Sequence, residues 1–279
     1  MDVIKNIILQ GKHQKPILTD VFLTKNKTPK PIIIFCHGYK GFKDWGAWNL
    51  MAKAFAKAGF AFIKFNFSHN GGTIKQPIDF PDLEAFGNNN YTKELDDLET
   101  VIDWVYTGFP YKNEINTNTI CLLGHSRAGG IVSIKAEEDK RIKQVVSLAG
   151  VSNYNNRAPI SGDVESWKKN GVIYVLNGRT KQNMPHYYQF FEDYISNKER
   201  LNIKRAVSNL SIPFLIIHGS EDPTVLLNEA KNLHKWQPKS QLKIIEGANH
   251  VFGASHPYKE EKLPDHLNQA IKEIIRFLQ

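Results

Sequence analysis

The amino-acid sequence predicts an α/β protein built on a mostly parallel central sheet that is flanked by helices. Short runs rich in β-branched and aromatic residues alternate with longer stretches of helical periodicity, which is typical of repeated strand–helix units. Several of these runs are continuously apolar, as expected for strands that helices cover on both faces. No internal repeat or low-complexity segment interrupts the pattern.

Six core strands are predicted along the chain. They are 31-PIIIFCHG, 60-FAFIKFNF, 119-TICLLGHS, 143-KQVVSLAG, 212-IPFLIIHG and 241-QLKIIEGANH. Before them, 6-NIILQ and 17-ILTDVFLT predict a peripheral antiparallel pair. In open parallel sheets, ligands collect at the carboxyl ends of the strands. Three of the core runs finish at a glycine next to a histidine, so a functional site is expected there.

Helical periodicity predicts three main helices between and after the strands. The first is 45-WGAWNLMAKAFAKAG, which Asp44 is expected to cap and Gly59 to end. The second covers 92-TKELDDLETVIDWVY, and the third is an amphipathic helix over residues 262–278.

Residues 151–209 break the alternation and are interpreted as a lid insertion over the edge of the sheet. The chain would then be one domain over residues 1–279. Within the insertion, 172-VIYVL predicts a short strand, and a cluster of aromatic residues follows it. Tyr187, Phe190, Phe191 and Tyr194 have the spacing of one helical face. They are either the packing face of a lid helix or an aromatic wall for an acyl or aryl group of the substrate.

Composition excludes several classes of protein. The 279 residues are 41% hydrophobic and 23% charged, which is ordinary globular usage rather than that of a disordered or fibrous chain. Two cysteines, Cys36 and Cys121, exclude a disulfide-built fold and a four-cysteine zinc site, and both are expected to be buried. Dinucleotide-binding, Walker and His-Glu-x-x-His motifs are missing, so no cofactor and no metal are expected.

The net charge of +8 does not indicate a nucleic-acid partner, because the basic residues are dispersed. Nine basic against five acidic residues give the insertion a charge of +4, which favours an anionic substrate unless these side chains only cover a solvated lid. No apolar run approaches the roughly 20 residues that cross a bilayer, and the N-terminus is a poor signal peptide. A cytoplasmic protein without a membrane partner is expected, whereas the oligomeric state is not readable.

The sharpest motif is 122-LLGHSRAGG, where a predicted strand runs into a helical stretch through Ser126. This is the context of a nucleophile elbow, a turn that lifts a serine side chain above the sheet. Small residues are needed two positions before and after the serine, because the strand and helix backbones approach closely. Gly124 and Ala128 occupy those positions. The alternative is an ordinary serine in a tight glycine turn.

With this motif the chain resembles the α/β-hydrolases, whose catalytic residues follow in the order Ser, acid, His. The segment 213-PFLIIHGSEDPTV resembles the family's acid-bearing segment, and 244-IIEGANHVF resembles its histidine loop. The resemblance implies Ser126 as nucleophile, Asp222 as acid and His250 as base. Glu221 stays open as an alternative acid, and His256 and His266 as alternative bases.

The resemblance also implies an oxyanion hole in 36-CHGYKGFKDWGAW. Its two donors would be the backbone N–H groups of Tyr39 and Arg127. Two preorganised donors are needed where negative charge develops in acyl transfer. As an alternative, His37 and Gly38 form an ordinary turn at the end of a strand.

The resemblance is closest to the dienelactone-hydrolase, feruloyl-esterase and prolyl-oligopeptidase branch. It implies a serine esterase that acts on a small-molecule acyl ester through an acyl-enzyme intermediate. Two alternatives stay open. One is a prolyl-oligopeptidase-like serine peptidase or acylaminoacyl hydrolase, and the other is a non-catalytic α/β-hydrolase-like binding protein.

Overall fold

The computed structural model describes residues 1–26, 28–160 and 162–279. Within these residues, one mixed sheet of eight strands forms the centre. Across the sheet the strands are β1 (Asp2–Gln10), β2 (Pro16–Leu23), β4 (Ala61–Phe65), β3 (Lys30–Cys36), β5 (Ile115–His125), β6 (Ile142–Leu148), β9 (Phe214–Gly219) and β10 (Gln241–Ile245). Strand β2 pairs antiparallel with β1 and β4, and the remaining neighbours are parallel. The expected mostly parallel sheet with an outer antiparallel pair is confirmed.

Helices cover both faces of the sheet. They are α1 (Trp48–Lys57), α2 (Leu83–Gly87), α3 (Tyr91–Thr107), α4 (Arg127–Glu138), α5 (Val164–Asn170), α6 (Gln189–Ser196), α7 (Ile203–Asn209), α8 (Leu227–Trp236) and α9 (Asp265–Leu278). Helices α1 and α9 pack on one face, whereas α3, α4 and α8 pack on the other. Among the described residues, every helix is too short or too polar to cross a bilayer.

Strand β3 shows why its run is continuously apolar. Ile32 and Ile34 belong to the hydrophobic cluster on the α3 side, and Ile33 and Phe35 to the cluster on the α1 side. All four side chains are fully buried. Because successive side chains of a strand point to opposite faces, a strand covered on both sides must be apolar at every position. Burial of Cys36 as a free thiol follows from the same placement.

The expectation that Asp44 caps the first helix is wrong. Helix α1 begins at Trp48, and no side chain caps it. The Asp44 carboxylate instead accepts hydrogen bonds from Lys43 and Lys64, and both ammonium groups also bind Asp20. Lys64 and Asp20 are fully buried, and a buried charge is tolerated only when it is paired. Asp44 is therefore held in a ring of four charges that fixes the loop between β3 and α1.

Residues 151–209 connect β6 to β9 and hold α5, α6, α7 and an antiparallel hairpin of β7 (Val172–Leu176) and β8 (Asn183–Tyr187). The short strand expected at 172–176 is confirmed. The aromatic cluster does not form one helical stripe, because Tyr187 ends β8 and α6 begins at Gln189. Trp167 and Ile203 of this segment are buried in the same cluster as α3 and α4.

Candidate active site

Ser126 lies in a sharp turn between β5 and α4. Its backbone has φ 58° and ψ −122°, a conformation that L-residues rarely adopt. A Cβ atom on Gly124 would lie 2.2 Å from the carbonyl oxygen of Ala128, so only glycine fits there. The close approach of strand and helix expected from the motif is present, and it leaves the serine side chain at the carboxyl edge of the sheet.

The loops after β9 and β10 bring two more side chains to this serine. Nε2 of His250 lies 3.0 Å from Ser126 Oγ, and Nδ1 lies 2.7 Å from Asp222 Oδ2. The other Asp222 oxygen accepts the backbone N–H groups of Thr224 and Val225. Although burial opposes ionisation, hydrogen bonds from His250 and these N–H groups lower the pKa of Asp222 below its ordinary value. The carboxylate is therefore held ionised and oriented beside the imidazole.

The alternative acid and bases lie elsewhere. Glu221 is exposed, and its backbone N–H donates to Ala248. Nδ1 of His256 accepts the N–H of Gly46, and His266 lies in α9. The sequence-predicted Ser126, Asp222 and His250 are the side chains that the fold brings together.

A second histidine holds the loop of His250. Nε2 of His125 donates to the backbone carbonyl of His250 at 3.0 Å, since a carbonyl oxygen only accepts. Burial lowers the pKa of His125 to about 3, so the ring is neutral at physiological pH. His125 therefore fixes the position of His250 without competing for its proton.

The loop after β3 approaches Ser126 through Gly38. A Cβ atom on Gly38 would lie 2.8 Å from the Cβ of Ser126. Its carbonyl oxygen accepts from Nδ1 of His37 and from the N–H of Gly41. Because the peptide group is planar and trans, the N–H of Tyr39 points the opposite way from this carbonyl. The N–H of Arg127 belongs to the first turn of α4, where N–H groups lack helical partners.

Two cavities border Ser126 and share the ring of Tyr39. The first, with a volume of about 280 Å³, is lined by Lys40, Trp45, Arg179 and His250 among others. We call it the His250 cavity. The second has a volume of about 320 Å³, and we call it the Arg127 cavity. It has an apolar wall of Val151, Pro159, Ile160, Val175 and Val225. Ser126 thus borders two cavities with different linings.

Arg127 lines the Arg127 cavity, and its positive charge is compensated by Glu94. Its guanidinium donates to Glu94 at 3.1 Å and lies 4.5 Å from the centre of the Tyr39 ring. The Tyr39 hydroxyl is hydrogen-bonded to Nε2 of His186 on β8 at 2.8 Å. Burial lowers the pKa of His186 to about 3, so this link to the insertion is uncharged.

The four aromatic residues of the insertion lie outside both cavities. The rings of Phe190 and Tyr194 contact Tyr91 of α3, and Phe191 contacts Trp167. Tyr187 donates its hydroxyl hydrogen to Glu84. Three of the four side chains thus hold the insertion against α2 and α3, Phe191 packs within the insertion, and none of the four lines a cavity beside Ser126.

Several cavity residues were not singled out from the sequence. Arg157, Val175, Asn177 and Arg179 come from the insertion, whose fold gives no local motif. Lys40 lies inside the His-Gly-Tyr-Lys-Gly loop, and that loop was the available signal. Within the described part of the chain, no group of three or more His, Cys, Asp or Glu side chains could hold a metal ion.

Solved structures share the fold. The α/β-hydrolase GrgF from Penicillium sp. sh18 aligns with a TM-score of 0.72 and 15% identity, covering 100% of this chain and 98% of that chain. Est1E from Butyrivibrio proteoclasticus, solved with ferulic acid bound, has a TM-score of 0.69 and 17% identity, covering 98% and 97% of the two chains.

Sequence comparisons give a family and a curated relative. The BD-FAE family model matches residues 19–237. An uncharacterized 31.7 kDa protein in the traX-finO intergenic region of Escherichia coli is 34% identical over 148 residues. That match covers 53% of this chain and 46% of the relative, so the chain spans less than half the length of this relative.

Proposed function

The chain belongs to the BD-FAE family, and from that premise we propose that it is a serine hydrolase that cleaves small carboxylic esters through an acyl-enzyme intermediate. One observation carries the proposal. Ser126, His250 and Asp222 form a continuous hydrogen-bonded series, with 3.0 Å at its first step and 2.7 Å at its second. Such a series can activate a hydroxyl group that is otherwise too weak a nucleophile.

Acylation begins when Ser126 Oγ attacks the ester carbonyl carbon. Nε2 of His250 takes the hydroxyl proton, while Nδ1–H stays bonded to Asp222. The ionised Asp222 then stabilises the imidazolium and keeps the ring in the tautomer whose Nε2 accepts a proton. Because His125 and two backbone N–H groups hold His250 and Asp222 in place, little reorganisation is needed during the transfer.

Negative charge on the tetrahedral intermediate requires donors close to Ser126. The proposed donors are the N–H groups of Tyr39 and Arg127. The fixed carbonyl of Gly38 and the start of α4 support this assignment. Each such donor typically stabilises the transition state by about 3–4 kcal/mol.

The leaving alcohol takes its proton from the imidazolium of His250. His250 lines the His250 cavity but not the Arg127 cavity. Because the alcohol oxygen must lie close to His250 to receive this proton, the alcohol part belongs in the His250 cavity. The acyl group then occupies the more apolar Arg127 cavity. Water enters from the vacated side and attacks the acyl carbon while His250 takes its proton. The bond between the acyl carbon and Ser126 Oγ then breaks, the imidazolium returns the proton to Oγ, and the acid leaves.

Labelling with a fluorophosphonate probe separates this proposal from a non-catalytic binding role. A fluorophosphonate reacts only with an activated serine, so we expect one adduct by intact mass and a peptide map that places it on Ser126. The matched control is Ser211→Ala, which removes an exposed serine and should label normally. A folded wild-type protein that stays unlabelled would instead indicate a binding protein.

A further inference from the structure

The His250 cavity has an unbalanced charge. Lys40 and Arg179 contribute cationic side chains to it, and no Asp or Glu is present among the described residues that line it. Arg179 is compensated from outside the cavity, because its guanidinium donates to Asp79 at 2.6 Å. The positive character of the cavity therefore rests on Lys40.

The Lys40 ammonium has no protein partner within the described ranges 1–26, 28–160 and 162–279. Among the described residues, no carboxylate lies close enough to its Nζ to raise the pKa of the group, and no hydrogen bond does so. Its recorded neighbour is the ring of Tyr39, whose centre is 5.0 Å away. Burial and the nearby charge of Arg127 lower the pKa of Lys40, which means that the group is partly withdrawn from water. An ammonium group with no protein acceptor that lines a cavity beside Ser126 is free to bind an anionic group of a ligand.

The backbone at Lys40 gives a second, independent reason to assign it a role. Its φ is 54°, in the left-handed region that favours glycine. It lies in a turn closed by the hydrogen bond from Gly41 N–H to the Gly38 carbonyl at 3.0 Å. A glycine or asparagine would adopt this conformation with less strain, so turn geometry does not explain the lysine. Strained non-glycine residues of this kind concentrate at functional sites.

The arginines of the Arg127 cavity, unlike Lys40, are both paired with carboxylates. Arg127 is paired with Glu94, and Arg157 is paired with Glu229. Both guanidinium groups thus have a carboxylate partner, and the rest of the wall is largely apolar. The two halves of an ester would therefore meet different environments, an uncompensated cation on the alcohol side and an apolar wall on the acyl side.

We infer that the preferred substrates are esters whose alcohol part carries a carboxylate, which the Lys40 ammonium binds in the His250 cavity. The inference rests on the proposed function and on its placement of the alcohol beside His250. The rings of Tyr39 and Trp45 line the same cavity, so an aryl alcohol with a carboxylate substituent has both an apolar surface and an ionic partner there. Arg179 also lines this cavity, with its charge compensated by Asp79.

The test compares 4-carboxyphenyl butyrate with its uncharged analogue, 4-carbamoylphenyl butyrate. Each kcat/KM is divided by the rate constant for hydroxide hydrolysis without protein, which removes the difference in leaving-group reactivity. One charge-assisted hydrogen bond should give the carboxylate ester an advantage of about tenfold in this ratio. Added salt should shrink the advantage, because the cavity is open to screening.

Lys40→Met should reduce the advantage to less than about twofold, and Lys40→Arg should restore part of it. Lys181→Met is the matched control. Lys181 is also a lysine in the left-handed region, with φ 60°, but it is exposed and lines neither cavity. This variant should keep the wild-type preference. An equal ratio in wild type and Lys40→Met would overturn the inference.

Two further comparisons separate the ways in which the inference can fail. If neither ester is hydrolysed, or if Ser126→Ala hydrolyses both at the wild-type rate, the proposed function fails. If the uncharged ester is hydrolysed in a Ser126-dependent way and the charge gives no advantage, only the inference fails. A third outcome would also contradict the inference. The protein would prefer phenyl hydrogen glutarate to its monoamide but show no preference between the 4-carboxyphenyl and 4-carbamoylphenyl esters, which would place the substrate carboxylate on the acyl side.

Discussion

Nδ1 of His250 lies 2.7 Å from Oδ2 of Asp222, while Oδ1 of the same carboxylate is held by two backbone N–H groups. The two oxygens thus have separate tasks, one toward the imidazole and one toward the loop. Asp222→Asn can keep the loop contacts through its amide oxygen, but its NH₂ group cannot accept the proton of Nδ1. We expect kcat to fall by roughly 10³–10⁴-fold because the wrong imidazole tautomer is stabilised.

The neighbouring Glu221 provides the control for that experiment. Glu221 is exposed, so Glu221→Gln should retain nearly the wild-type kcat and melting temperature. A larger loss of kcat in Glu221→Gln than in Asp222→Asn would show that the acid has been assigned to the wrong residue. Thermal melts of both variants establish that the fold is intact.

Strand β5 and helix α4 approach each other closely at the turn of Ser126, so substitutions at the two small residues of this turn, Gly124 and Ala128, should have unequal effects. A methyl group at Gly124 would lie 2.2 Å from the Ala128 carbonyl oxygen, so Gly124→Ala must displace β5 or α4. We expect little folded protein and no ester hydrolysis from it. Ala128→Gly should fold and remain active, with a loss of about 1 kcal/mol in the free energy of unfolding from its helical position. Normal activity of Gly124→Ala would contradict the observed packing.

The ring of charges around Lys64 predicts a large effect on stability. Lys64→Met leaves the fully buried Asp20 with one cation where it had two, and it removes one of the cations beside Asp44. The free energy of unfolding, measured with urea, should fall by about 3–5 kcal/mol. Arg276→Met is the control, because this side chain is 71% exposed and its pairing with Glu273 should contribute less than about 1 kcal/mol. Equal losses in both variants would argue against a buried ionic network.

A buried carboxyl group away from the active site predicts a pH dependence of stability. Burial raises the pKa of Asp97 to about 7 from an ordinary value of 3.8, against a hydrogen bond from the N–H of Ser68. The folded state therefore binds this proton more tightly than the unfolded state, and the stability from it is lost as the pH rises toward 7. From pH 5 to pH 8, the wild type should lose about 2–3 kcal/mol more than Asp97→Asn.

Urea unfolding of both proteins at several pH values measures this difference. The other titrating groups are common to both chains, so subtracting the two curves leaves the contribution of Asp97 together with its interaction with Glu94. A difference that stays constant from pH 5 to pH 8 would mean that Asp97 does not titrate in this range.

The sheet, the main helices and the three polar residues of the hydrogen-bonded series at the site were predictable because each has a local signal. Ser126, Asp222 and His250 each follow the end of a strand in a short recognisable segment. Arg157 and Arg179 were not predictable in this way, because the irregular insertion brings them to the cavities through long-range packing. The same cause explains the error at Asp44, whose partner Lys64 is 20 residues away on β4.

The prediction that the aromatic residues of the insertion share one helical face was wrong for a different reason. Their spacing fits a helical face, but Tyr187 still belongs to a strand and only the later rings lie on α6. Periodicity over eight residues cannot separate the end of a strand from the start of a helix. Packing against Tyr91 then decides which way the rings face.

The most direct test of the account is the hydrolysis of 4-nitrophenyl butyrate by Ser126→Ala, compared with wild type and Ser211→Ala. Ser126→Ala should fold, and its kcat/KM should be lower by at least about 10³-fold, because the nucleophile is gone while both cavities remain. Ser211→Ala should match the wild type. Turnover by Ser126→Ala within about twofold of the wild-type value would contradict the assignment of Ser126 as the nucleophile.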